Sequence, residues 1–123
     1  MHLVVVFIFA IGSLICHQIP ERSFFWDGHQ LPVCARCTGL YASAAVGLAA
    51  WFVLKLARRR PMPMRSDLAV RAIVLAAVPT ALSWTSGVLG LWDGTNLTRA
   101  LLAIPLGASA GAIVAAVATK DLR

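Results

Sequence analysis

The sequence predicts an all-α integral membrane protein: a bundle of four transmembrane helices with one cysteine-rich outer loop. Composition and patterning both indicate this class. Hydrophobic residues make up 59% of the 123-residue chain and charged residues 13%, whereas soluble domains are about half apolar and about a quarter charged. The apolar residues fall into four stretches, and a bilayer-spanning helix needs about 20 of them. We therefore expect one membrane domain over residues 1–123.

The four helices are predicted over residues 3–16, 38–56, 68–91 and 97–119. The first stretch is the shortest, and its 14 residues would rise only about 21 Å as a helix, less than the thickness of the hydrocarbon core. It lacks the basic start and the small-residue cleavage site of a secretory signal. We therefore expect this stretch to stay in the mature protein as a helix. A start codon further upstream would lengthen it.

Small residues recur at four-residue spacing on two of the predicted helices. Such a stripe lets two helices approach closely in lipid. We interpret the stripes as seams within one chain, with a homo-oligomer or another membrane protein as the alternative partner. The stripes are Gly39, Ser43 and Gly47 on the second helix, and Ala103, Gly107, Gly111 and Ala115 on the fourth.

Basic residues concentrate around the link between the second and third helices. They are Lys55, Arg58, Arg59, Arg60, Arg65 and Arg71, opposed there only by Asp67. The positive-inside rule places this link and both chain ends in the cytoplasm, with the cysteine loop outside. The expected location is the inner (plasma) membrane of a bacterium. The formal charge of +6 indicates contact with the lipid bilayer and its anionic headgroups, and not nucleic acid, because most of it lies in this juxtamembrane run.

All three cysteines flank the loop between the first two helices. Antiparallel neighbouring helices would bring Cys16 and His17 close to Cys34 and Cys37. Three thiolates and one imidazole form a closed tetrahedral zinc set. The sequence therefore predicts zinc ligands at these four positions, with His29 as a possible replacement for His17.

The same residues are also compatible with redox chemistry. Cys34 and Cys37 form a C-x-x-C pair at a predicted helix start, where the helix dipole and Arg36 would favour a reactive thiolate. In an oxidising compartment the pair would cycle between dithiol and disulfide, with Cys16 as a resolving thiol. A structural disulfide that leaves one cysteine free is the third alternative.

Further polar residues should lie near the cysteines at the outer face. A guanidinium binds phosphate in a bidentate way, and a zinc ion with an open position activates water. The predicted functions are therefore a zinc site, structural or hydrolytic on an anionic lipid-like substrate, a thiol-disulfide oxidoreductase, or an accessory subunit of a larger membrane complex. The catalytic candidates are Arg22, Ser23, His29, Arg36 and Arg99.

The loop resembles the signature of a bacterial family of small predicted membrane proteins of unknown function. That signature reads Cys-His-Gln-x-x-x-Arg-Ser-Phe, then Pro-x-Cys-x-Arg-Cys-x-Gly-x-Tyr. The chain matches it at Cys16, His17, Gln18, Arg22, Ser23, Phe24, Pro32, Cys34, Arg36, Cys37, Gly39 and Tyr41. The family also tends to carry an acidic residue after the proline of the third helix, where this chain has Ser83, and a polar-x-x-Arg motif that Asn96 and Arg99 resemble. The resemblance implies a helical membrane fold and a site in the loop, but no activity.

Overall fold

The computed structural model describes all residues, 1–123, and consists mainly of helices. In chain order the elements are α1 (His2–Ile15), a 3-10 turn (Pro20–Arg22), β1 (Ser23–Trp26), β2 (His29–Cys34), α2 (Ala35–Arg58), α3 (Ser66–Val88) and α4 (Asn96–Ala118). The four predicted helices are confirmed. Three of them, α2, α3 and α4, are long and apolar enough to cross a membrane, while α1 is a shorter apolar helix.

Two helix ends differ from the prediction by three residues. Helix α2 begins at Ala35, and not at residue 38, because Cys34 already adopts the extended conformation of an N-cap. Helix α3 ends at Val88, and not at residue 91. There the chain turns back, so that the backbone N–H groups of Leu91 and Trp92 both donate to the carbonyl oxygen of Ser86.

The cysteine loop contains a small antiparallel sheet that the all-α prediction omitted. Strands β1 and β2 pair Trp26 with His29 and Ser23 with Cys34. The turn between them is Asp27-Gly28, and both residues have positive φ, 50° and 76°. This is the geometry of a two-residue type I′ hairpin, for which Asp-Gly is a favoured sequence. The hairpin fixes where the chain enters α2.

The most extensive helix contact is the parallel packing of α2 against α4. A Cβ atom added to Gly39 would overlap the carbonyl oxygen of Ala100, and one added to Gly47 would overlap that of Ala108. The predicted small-residue stripes are therefore seams within the chain. Helix α3 runs antiparallel along α4, where Thr80 donates a hydrogen bond to the carbonyl oxygen of Leu102 at 3.0 Å.

Large apolar side chains cover the outside of the helices. Only 16 of the 123 residues are buried, and the buried apolar set is almost entirely alanine. Leu56, Leu75 and Leu91 are each more than 70% exposed. Monomeric soluble proteins rarely carry contiguous apolar surface on this scale. The surface therefore suits hydrocarbon as its solvent, in agreement with a membrane bundle.

Candidate metal centre

The structure brings the three cysteines into one cluster, as the sequence predicts. Cys16 follows the last turn of α1, Cys34 is the N-cap of α2, and Cys37 lies in the first turn of α2. Their three sulfur atoms all lie within 4.8 Å of one another. None of the three cysteines forms a disulfide.

Gln18 holds the end of α1 against the hairpin. Its backbone φ is 50°, and its side-chain Nε2 donates to the carbonyl oxygens of Phe9 at 2.8 Å and Pro32 at 2.7 Å. Gln30 returns a hydrogen bond to the carbonyl oxygen of Gln18 at 2.8 Å. Gly12 permits this close approach, since an added Cβ would lie 2.6 Å from Nε2 of Gln18. These contacts place Cys16 beside Cys34.

Backbone hydrogen bonds favour the thiolate form of Cys16. The backbone N–H of Cys34 donates to the sulfur of Cys16 at 3.2 Å. Burial raises the pKa of the Cys16 thiol, but hydrogen bonds from the backbone of Gln18 and Cys34 and from the neighbouring thiols outweigh it, so that the pKa lies below its ordinary value. A thiolate is the form that ligates metal.

The two histidines differ in their relation to the cluster. His17 is exposed and lines a cavity of about 190 Å³ together with the three cysteines. Its imidazole is not among the atoms that lie within 4.8 Å of one another. His29 is exposed at the start of β2, and its five-residue separation from Cys34 corresponds to about 17 Å of strand. The structure thus keeps His17 near the sulfurs and places His29 away from them.

Two arginines line the same cavity as the cysteines. They are Arg22 and Arg36. Arg36 donates from its guanidinium to the hydroxyl of Ser83 at 3.2 Å, while its Nε atom is buried and has no hydrogen-bond partner. The cavity therefore combines soft sulfur ligands with cationic groups that suit an anion.

Arg99 lies outside this cavity and is itself buried, in a network whose other charged members, Asp93 and Arg22, are partly exposed. Its side chain is 7% exposed and pairs with Asp93 at 2.6 Å, and it also donates to Asn96 at 2.9 Å. Asn96 donates in turn to the carbonyl oxygen of Ser23 at 3.0 Å, and Arg22 approaches Asp93 at 3.6 Å. The hydrogen bond from Arg99 lowers the pKa of Asp93 below its usual range. The network ties α4 to the hairpin.

Arg99 and Ser23, two of the predicted catalytic candidates, are both enclosed by protein. Ser23 is 2% exposed, and its hydroxyl donates to the carbonyl oxygen of Ile19 at 2.9 Å. The positioning role of Gln18 and Gln30 was not predicted from the sequence. The Asp27-Gly28 pair was the signal available for the hairpin on which Gln30 lies.

Comparison with known proteins shows the family. The chain belongs to the family described as Predicted membrane protein (DUF2085), whose model matches residues 16–113. That match includes every cysteine and begins immediately after α1.

The relatives found are archaeal. One is an uncharacterised protein of Methanocaldococcus jannaschii, 37% identical over 75% of this chain, and the match covers 56% of that protein. Another is an uncharacterised protein of Methanothermobacter thermautotrophicus, 32% identical over 89% of this chain and 87% of that protein. The description of the family as bacterial was therefore too narrow. No solved structure matches the chain.

Proposed function

We propose that this membrane protein binds one zinc ion through Cys16, Cys34 and Cys37, with His17 as the fourth ligand. The mutual approach of the three sulfurs within 4.8 Å carries the proposal. Zinc–sulfur bonds of about 2.3 Å place the sulfurs of a tetrahedral site roughly 3.8 Å apart. Only a small contraction of the cluster is then required, and three thiolates select a soft or borderline metal.

His17 is the histidine that lines the cavity together with the three cysteines. It follows Cys16 directly and its side chain is exposed at the cavity. An exposed side chain changes rotamer at little cost, so its imidazole can turn toward the sulfurs when metal binds. A closed Cys3His shell is typical of a structural zinc site, in which metal binding stabilises the fold.

A hydrolytic role requires the fourth position to hold water in place of His17. Arg22 and Arg36 line the cavity, and both can bind a phosphate oxygen. The substrate class that fits is an anionic lipid-like ester, since the cavity lies at the end of membrane-spanning helices. Zinc would supply a bound hydroxide for attack on such a substrate.

Cobalt substitution tests the zinc proposal. Cobalt(II) added to metal-free protein should give thiolate charge-transfer absorption and the visible bands of a tetrahedral ion at one equivalent. Cys34→Ser should weaken the charge-transfer absorption, because one thiolate ligand is lost. His29→Ala serves as a control and should leave the spectrum unchanged. An octahedral spectrum, or no thiolate band, would contradict the proposal.

A thiol-disulfide oxidoreductase is the second candidate, favoured by the pairing of Cys34 and Cys37. Both are free thiols, and Cys34 stands at the N-terminus of α2, where the helix dipole stabilises a thiolate. The pair would form a disulfide while a substrate disulfide is reduced to two thiols. Protein isolated with a Cys34–Cys37 disulfide and no metal would favour this candidate over zinc.

A further inference from the structure

A second concentration of charge lies at the opposite end of the bundle from the cysteines. Helix α2 separates the two ends by 24 residues, or about 36 Å. The basic end carries two acidic residues, Asp67 and Asp121, against eight basic ones. These are Lys55, Arg58, Arg59, Arg60, Arg65, Arg71, Lys120 and Arg123.

The two carboxylates at this end are already paired. Asp67 accepts two hydrogen bonds from Arg65, each at 3.1 Å. Asp121 pairs with Lys55 at 2.6 Å. Consequently the guanidinium groups of Arg58, Arg59 and Arg60, at the end of α2 and just beyond it, have no protein partner. An unpaired cationic corner of this kind attracts anions.

Two of these arginines form one side of a groove of about 680 Å³. Arg59 and Arg60 provide its cationic rim, and Phe52 and Leu56 provide apolar surface one to two turns further into the bundle. Phe52 is 44% exposed and Leu56 is 80% exposed. The groove thus has a polar end for a phosphate and an apolar side for a hydrocarbon chain.

The opposite wall is the segment that follows α4, and it is fixed in place. The backbone N–H of Met64 donates to the carbonyl oxygen of Asp121 at 2.8 Å, and that of Arg123 donates to Met64 at 2.8 Å. The Asp121 residue is 8% exposed, and the hydrogen bond from Lys55 lowers the pKa of its carboxyl group. Its negative charge is therefore compensated by Lys55, which reaches it from α2.

We propose that this groove binds one acidic phospholipid, with its phosphate between Arg59 and Arg60 and an acyl chain along Phe52 and Leu56. Basic pockets between membrane helices recognise anionic headgroups in this way. A zwitterionic lipid carries a positive group next to its phosphate. The arginines would repel this group, so such a lipid would bind less well. A soluble phosphate would leave the apolar side of the groove unused.

Native mass spectrometry of the purified full-length chain tests the proposal. In neutral detergent, titration with phosphatidylglycerol should give a single retained lipid at concentrations where phosphatidylcholine gives none. Arg59→Asn combined with Arg60→Gln should weaken retention about thirtyfold, as expected for the loss of two cations near an anionic headgroup. Asparagine is chosen because it tolerates the positive φ of 50° that Arg59 adopts.

Two comparisons separate a lipid site from general surface charge. Arg65→Gln combined with Arg71→Gln removes the same charge outside the groove and should leave retention unchanged. Phe52→Ala combined with Leu56→Ala should weaken lipid binding without loss of charge. The proposal is overturned by equal retention of the two lipids or by equal effects of the two arginine pairs. It is also overturned if glycerol phosphate binds as tightly as the lipid.

Discussion

Arg99, at the start of α4, carries a buried positive charge, and its partners explain why that charge is tolerated. It pairs with Asp93 at 2.6 Å and donates to Asn96 at 2.9 Å. A buried cation without such partners is costly to the fold. Asn96 also donates a hydrogen bond to the carbonyl oxygen of Ser23. Arg99 and Asn96 therefore couple the start of α4 to the hairpin that positions Cys34.

Asp93→Asn should lower the melting temperature at neutral pH and have little effect in acid. Arg99 lowers the pKa of Asp93 in the folded protein, so the carboxylate contributes stability above the ordinary carboxyl range. That contribution is lost as the pH falls through the lowered pKa. The melting temperatures of the unaltered chain and the Asp93→Asn variant, compared across pH, measure this contribution. Asp27→Asn, in the exposed hairpin turn, is the control. A difference in melting temperature that persists unchanged into acid would contradict this role.

His17→Ala should weaken zinc binding by one to two orders of magnitude, whereas His29→Ala should not change it. Loss of one ligand leaves three thiolates and water, and even outer-shell changes cost about 10–100-fold in metal affinity. Competition for zinc against a chromophoric chelator gives the affinity of each variant. Equal affinities for the two variants would remove His17 from the ligand set.

At the residue scale the sequence predicted the cysteine cluster better than its surroundings. Two helices joined by a loop must bring Cys16 near Cys34 and Cys37, so spacing alone was sufficient. The pairing of Arg99 with Asp93 depends on how the turn before α4 folds back. Neither the spacing nor the composition of the chain contains that information.

At the scale of elements, the α2–α4 seam and the hairpin contrast in how far they could be predicted. Four-residue spacing of small residues predicted the seam, since each glycine lies against a backbone carbonyl of the other helix. The hairpin was missed because β2 does not alternate clearly between apolar and polar residues, so its periodicity is weak. Its best signal was the turn pair Asp27-Gly28.

Gly47→Val should destabilise the bundle by roughly 1–3 kcal/mol, the usual cost of overpacking a close contact. A Cβ at this position would overlap the carbonyl oxygen of Ala108, so α2 and α4 would have to separate. Ala49→Val is the matched control, because Ala49 is exposed on the same helix. Unfolding in mixed micelles compares the two variants, and equal stability would argue against the parallel seam.

At the scale of the whole molecule, the cysteine site and the basic groove lie at opposite ends of the helix bundle. The cysteines, Arg22 and Arg36 lie at one end, and the basic corner of α2 lies at the other. The charge asymmetry predicts which end faces the cytoplasm. This prediction can be made from the sequence alone, because it depends on loop charges and not on side-chain packing.

A cysteine introduced at Met62 should be protected from an impermeant maleimide in intact cells and react after lysis. Met62 lies in the link between α2 and α3, which the positive-inside rule places in the cytoplasm. Glu21→Cys, at the cysteine end, should react without lysis, and the unaltered chain reports any labelling of the native thiols. Labelling at position 62 from outside would reverse the proposed orientation.

Metal content measured together with thiol reactivity tests the zinc centre most directly. Protein purified without chelator should contain about one equivalent of zinc, since a Cys3His shell holds a single ion. Its three thiols should resist alkylation until a chelator is added, because the thiolates are bound to metal. Protein that contains no metal, with Cys34 and Cys37 joined in a disulfide that mild reductant alone opens, would contradict the zinc centre.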